Sequence, residues 1–186
     1  MKNVLLVSSM QNDFFSDSSG VSVGIEDKSS FKDNVANFIA GFDGLVFLSK
    51  YENFEGSVIF NNLPKHCLVG TSGSEIINEI NSVINTKCEN DPSFIPYTFN
   101  SRELINNSLC TTIADMCTES ELHVIGLSLN GNILDNIIQI ANDAVFRREY
   151  IPTIIIHRDL FFDTNKELFD LCLSTKLVPY FKVQIV

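Results

Sequence analysis

Several classes of function fall away because of what this chain lacks. It has no apolar stretch approaching the ~20 residues that a membrane-spanning helix needs. Basic residues are few: 13 Lys and Arg against 23 Asp and Glu leave a formal net charge of −10. Nucleic acid and anionic membranes reward clustered positive charge, so neither is expected as a partner. The first residues carry no basic region followed by a long apolar segment, and no targeting peptide is expected. The five cysteines, at 67, 88, 110, 117 and 172, are odd in number and scattered, and no metal-ligand spacing accompanies Cys110 and Cys117. Free thiols in a reducing, cytoplasmic setting follow from that usage. The apolar run Val4–Val7 leads into Met10-Gln11-Asn12-Asp13, without the glycine-rich loop that cradles a dinucleotide or a nucleoside triphosphate. No cofactor is expected.

What is present reads as one α/β domain. Short apolar runs at 4–8, 45–49, 93–97, 122–127 and 153–157 predict buried strands, and 181–186 predicts a last strand at a sheet edge. Helical periodicity falls between them, at 30–41, 74–84, 102–117, 131–148 and 164–175. In 131–148 the set Ile133, Ile137, Ile140, Ala141 and Ala144 repeats at helical spacing. Strands alternating with helices of this length imply a three-layer, doubly wound, mostly parallel sheet with helices on both faces.

The stretch 63–76, LPKHCLVGTSGSEI, is more specific. With Pro64, His66, Cys67, Gly70, Thr71, Gly73 and Glu75 in register, it resembles the P-x-H-C-x-x-G-T-x-G-x-E segment of the isochorismatase-like cysteine hydrolases, which include nicotinamidases. Ser9-Met10-Gln11-Asn12-Asp13-Phe14 is similar to that family's D-x-Q-N-D-F, and 123–133, HVIGLSLNGNI, to its V-x-G-x-x-x-x-x-C-V turn. The resemblance implies a Rossmann-type sheet order, a structural turn around His66 and Cys67, and homo-oligomers formed through helices that flank the sheet.

It also implies chemistry that this sequence departs from. Those enzymes use a cysteine at the start of the helix after the fourth strand, activated by an aspartate at the end of strand 1 and a lysine on strand 3. A thiol attacks well only when a base or nearby positive charge favours the thiolate. Here Ser9 stands at the aspartate position and Asn132 at the cysteine position. A shifted register gives Asn136 or Ile137, and no cysteine occurs between 118 and 171. For the lysine, one anchoring gives Lys87 and another gives Pro96. The nicotinamidase metal motif D-x-H-x-x-x-H falls on Lys50, Glu52 and Gly56, a set unsuited to a metal. Asp13 matches the family's second acidic residue, which packs and caps the turn. Ser8, Ser9, Ser128, Asp13 and His157 are expected to approach the same mouth of the sheet.

The expectation is therefore a degenerate, non-hydrolytic domain used for binding or assembly, either as a homo-oligomer or as a subunit of a larger protein complex. A small-molecule ligand would meet Ser9, Asp13, Asn130 and Asn132, since asparagine side chains both donate and accept. The competing expectation is a divergent hydrolase of a small amide or enol ether.

Overall fold

A computed structural model describes residues 3–100, 108–117, 120–128, 132–177 and 181–186. Its strands are β1 (Asn3–Ser8), β2 (Gly44–Lys50), β3 (Tyr97–Asn100), β4 (Glu121–Ser128), β5 (Thr153–Asp163) and β6 (Lys182–Ile185). They form one sheet in the order β3-β2-β1-β4-β5-β6, with every neighbouring pair parallel. Its helices are α1 (Asn12–Phe15), α2 (Lys28–Gly41), α3 (Asn78–Asn90), α4 (Ser108–Met116), α5 (Asn132–Arg148) and α6 (Lys166–Cys172), the last running into a π turn over Leu173–Leu177.

The two faces of the sheet bury against different helices, which is why the central strands carry apolar residues on both faces. Val4, Leu6, Phe47, Val124, Ile154 and Ile156 pack on one face with Ile113, Ile133, Ile137, Ile140 and Phe169, from α4, α5 and α6. The intervening Leu5, Val7, Val46, Leu48, Ile125 and Leu127 point the other way, into Val35, Ile39, Ile80 and Ile84 of α2 and α3. At ~25 cal/mol per Å² of apolar area, this double burial is the main favourable term holding the layers together.

Four boundaries differ from the sequence reading. The third strand begins at Tyr97 instead of covering 93–97, because Asp91 makes a tight turn there: its Oδ1 accepts from Ser93 N–H (2.9 Å) and Ser93 Oγ (2.6 Å). The helix expected over 74–84 lies at Asn78–Asn90. Ahead of it, Ser72–Ser74 form a separate 3-10 turn, and Ile76 pairs as a β-bridge with Gln11. The fifth strand continues to Asp163 across a large bulge, since Val124 faces Ile156 but Gly126 already faces Phe161. The helix expected over 164–175 ends at Cys172 as α-helix. Of the helix expected over 102–117, residues 101–107 lie outside the described residues.

Candidate functional site at the carboxyl ends of the strands

The strand order reverses between β1 and β4. In doubly wound sheets ligands bind in the crevice beyond the carboxyl ends at such a point. Ser9 is the first residue past β1 and adopts a left-handed backbone, φ +52°. Its N–H donates to the Ser49 carbonyl (2.9 Å) and its own carbonyl accepts from Gln11 N–H (2.9 Å). The residue is fully buried. A hydroxyl held in this way has no carboxylate's basicity, so it offers no general base at neutral pH.

Other hydroxyls gather around it. Ser8 pairs in register with Ser49 of β2 and Gly126 of β4, and Ser128 ends β4 two residues further on. Ser8 Oγ and Ser9 Oγ are 3.5 Å apart. Ser49 Oγ and Ser128 Oγ are buried with no hydrogen-bond partner. The close approach depends on Gly126, at φ +102°, where a Cβ would run into the Ser8 backbone. Ser49 was missed by the sequence reading, because a serine near the end of LVFLS carries no signal of which face it takes.

The expected companions are not all at this mouth. Asp13 sits in the turn below: its Oδ2 accepts from Cys67 N–H (2.6 Å), where Cys67 has φ +45°. Gly73 packs against that carboxylate, leaving no room for a Cβ. Gln11 joins the same scaffold. Its Nε2 donates to the Tyr51 (2.9 Å) and Ser74 (2.8 Å) carbonyls, and its Oε1 accepts from Tyr51 N–H (2.6 Å). The ring of His66 stacks on Tyr51 and meets Phe60 edge-on, while its Nδ1–H donates to the Pro64 carbonyl (2.7 Å). Gln11 and Asp13 are thus spent on holding the loop of the P-x-H-C motif to the end of β1.

Lys87 lies at the opposite end of the sheet. Its Nζ donates to the carbonyls of Ala40 (3.1 Å) and Phe42 (3.0 Å), closing the end of α2 beside Gly44, where β2 begins. A six-residue strand rising ~3.3 Å per residue separates it from Ser9. His157 is likewise remote, on the β5 bulge. Asn132 opens α5, and Asn130 lies outside the described residues. Among the described residues a cation that stands at the mouth is Lys50, at the end of β2. It pairs with Glu52 (3.0 Å) and Glu75 (3.7 Å), and Asn100 donates to Glu52 (3.4 Å).

Nor does either of the buried thiols Cys67 and Cys117 stand ready. Burial pushes the Cys67 thiol far above its usual range, the charges of Asp13 and Glu52 add to this, and Lys50 opposes it only in part. Burial alone pushes Cys117 up to about 12. Neither is a thiolate near neutral pH.

A parallel sheet ordered 3-2-1-4-5-6, covered on both faces and bearing its crevice between strands 1 and 4, defines a Rossmann-type α/β protein. More particularly, the fold is that of the isochorismatase-like hydrolases. The chain is similar to nicotinamidase/pyrazinamidase from Bacillus subtilis over 98% of its length and 99% of that chain, with a TM-score of 0.69 and 17% identity. It is similar to the pyrazinamidase/nicotinamidase of Streptococcus mutans over 99% of both chains, with a TM-score of 0.70 and 16% identity. It is also similar to a pyrazinamidase of Pyrococcus horikoshii solved in complex with zinc, over 100% of this chain and 99% of that one, with a TM-score of 0.61 and 14% identity. No family model and no curated protein matches the sequence. A zinc ion would not fit the corresponding place here, because Lys50 fills it with a cation already paired to Glu52. Among the described residues no three His, Cys, Asp or Glu side chains come together to hold a metal.

Proposed function

We propose that this protein is a non-hydrolytic domain of isochorismatase-like fold that acts by binding, as a homo-oligomer or as one protein subunit of a larger assembly. The observation that carries the reading is Ser9. At the end of the central strand, where a carboxylate base would have to take a thiol's proton, a buried serine is anchored through its backbone. With Asn132 at the start of α5 and the Cys67 thiol held protonated, nucleophile and base are lacking together. Purified protein incubated with nicotinamide or with isochorismate should give no turnover above buffer. Turnover abolished by Ser9→Ala or Asn132→Ala would overturn the reading in favour of a divergent hydrolase. Light scattering of the free protein, together with co-purification, then separates a homo-oligomer from a stoichiometric foreign partner.

A second reading keeps a small ligand in the same crevice. The unpartnered hydroxyls of Ser49 and Ser128 favour it, since buried polar groups ordinarily find a partner. In that case Ser49→Ala together with Ser128→Ala should raise unliganded stability and weaken ligand-induced protection against heat.

A further inference from the structure

Two of the three histidines meet on the sheet, far from the crevice. His123 lies midway along β4, opposite Leu5 of β1, and His157 begins the bulge of β5. His123 Nδ1 and His157 Nε2 are 2.9 Å apart. The ring centroids are 5.2 Å apart with 16° between the planes. An in-plane N···N hydrogen bond produces that spacing, so the rings lie edge to edge. At its other nitrogen, His123 Nε2 stands 3.3 Å from Glu121 Oε2, at ion-pair distance but outside hydrogen-bond geometry. Asn3 steadies the glutamate: its Oδ1 accepts from Glu121 N–H (3.2 Å) and its Nδ2 reaches the carboxylate (3.5 Å).

Helix α2 closes over this row with two aromatic rings. Phe38 lies 4.5 Å from His157, and Phe42 meets His123 edge-on at 5.2 Å. Neither brings a charge. The neighbouring Arg158 turns to Asp170 on α6 (3.1 Å), and Lys87 of α3 is engaged with the carbonyls of Ala40 and Phe42. Just past β6, Val186 brackets His157 through backbone bonds with Ile156 and Arg158 and brings no charged side chain. The side-chain charge acting on His123 is Glu121, and that acting on His157 is His123.

We infer that the row Glu121–His123–His157 is a proton-operated latch, which docks the C-terminal end of α2 on the sheet when at most one of its rings is charged and releases it on acidification. The N···N bond needs a lone pair on one ring. One added proton leaves that bond intact and is compensated by Glu121. A second removes the lone pair and sets two like charges 2.9 Å apart under the phenyl rings. Burial first, then the other ring's charge for His157, holds both histidines below the ordinary value. The sign follows from linkage. Undocked histidines titrate near ~6.5 and docked ones lower, so the undocked form binds more protons below that pH. Docking is complete above it and is lost as pH falls toward the lowered values.

Hydrogen exchange of the full chain at about pH 7.5 and about pH 5.5, corrected for intrinsic rates, reads the latch directly. Protection over 35–42 should fall about tenfold relative to α3 on acidification, and His157→Gln, which keeps a neutral donor, should abolish the difference. An unchanged α2 at the lower pH, or the same fall in the glutamine variant, would overturn the inference. Should that variant not fold, the wild-type histidines decide it by NMR titration. Two coupled steps below 6.5 are expected, and independent titration at or above ~6.5 refutes the latch.

Discussion

Removing the Asp13 carboxylate should cost stability by breaking the turn that carries Cys67, and the loss should disappear into another substitution in a way that identifies its cause. The carboxylate accepts from the N–H of Cys67, a residue that is fully buried. A hydrogen bond to a charged group contributes ~1.5–3 kcal/mol, and the donor left behind is unsatisfied. Asp13→Ala should therefore lose ~2–3 kcal/mol, lowering Tm by ~5–10 °C for a chain of this size. Gly73→Ala attacks the same contact from the other side. Its new Cβ would fall on the carboxylate, and overpacking of this kind costs ~1–3 kcal/mol. In the Asp13→Ala background the obstacle is gone, so the second substitution should cost under ~1 kcal/mol. Urea unfolding followed by circular dichroism gives all four free energies. A coupling of ~1–2 kcal/mol is expected, whereas additivity within ~0.5 kcal/mol would refute the claim that glycine and aspartate are one device.

Thiol reactivity tests the Cys67 environment separately: native protein treated with iodoacetamide at about pH 8 should label the half-buried Cys88 and Cys172 well before Cys67 or Cys117. Peptide mass spectrometry reads this out, and early labelling of Cys67 would contradict its burial. Lys87→Met should cost about 1 kcal/mol in urea unfolding by freeing the α2 carbonyls. It should leave any ligand protection at the crevice unchanged, and an effect there would contradict the placement of Lys87 at the far end of the sheet.

The sheet was legible wherever burial alone decides structure. Val4–Val7, Leu45–Leu48 and Val124–Leu127 are apolar on both faces, the pattern of strands buried on both sides. Legibility failed where polar groups or irregular backbone decide. Phe94 and Ile95 look like a strand, yet the Asp91 turn precedes them and the ladder starts only at Tyr97. The bulge in β5 leaves no periodic trace, because residues 157–160 are the extra ones set against β4 and interrupt the alternation. At the site, the sequence identified Ser9 by alignment to a motif. It could not say that Asp13 faces Cys67 instead of the crevice, that Lys87 reaches across to the end of α2, or that His123 and His157 share a bond.

These residues also explain how so much of the motif can stand independently of the side chains at the catalytic positions. Gln11, Asn12 and Asp13 hydrogen-bond to the backbones of Ser74, Ser72 and Cys67, Gly73 packs on the Asp13 carboxylate, and His66 bonds the Pro64 carbonyl, joining the end of β1 to the loop after β2. Removing the Gln11 or Asp13 side chain leaves buried backbone groups unmet, a cost of ~1–3 kcal/mol in a molecule whose whole stability is ~5–15 kcal/mol. Ser9 carries no such obligation through its side chain, because its backbone makes the anchoring bonds to Ser49 and Gln11. An aspartate there could become serine with the turn intact. The motif thus reports the scaffold, and activity has to be argued from the few side chains that the scaffold does not need.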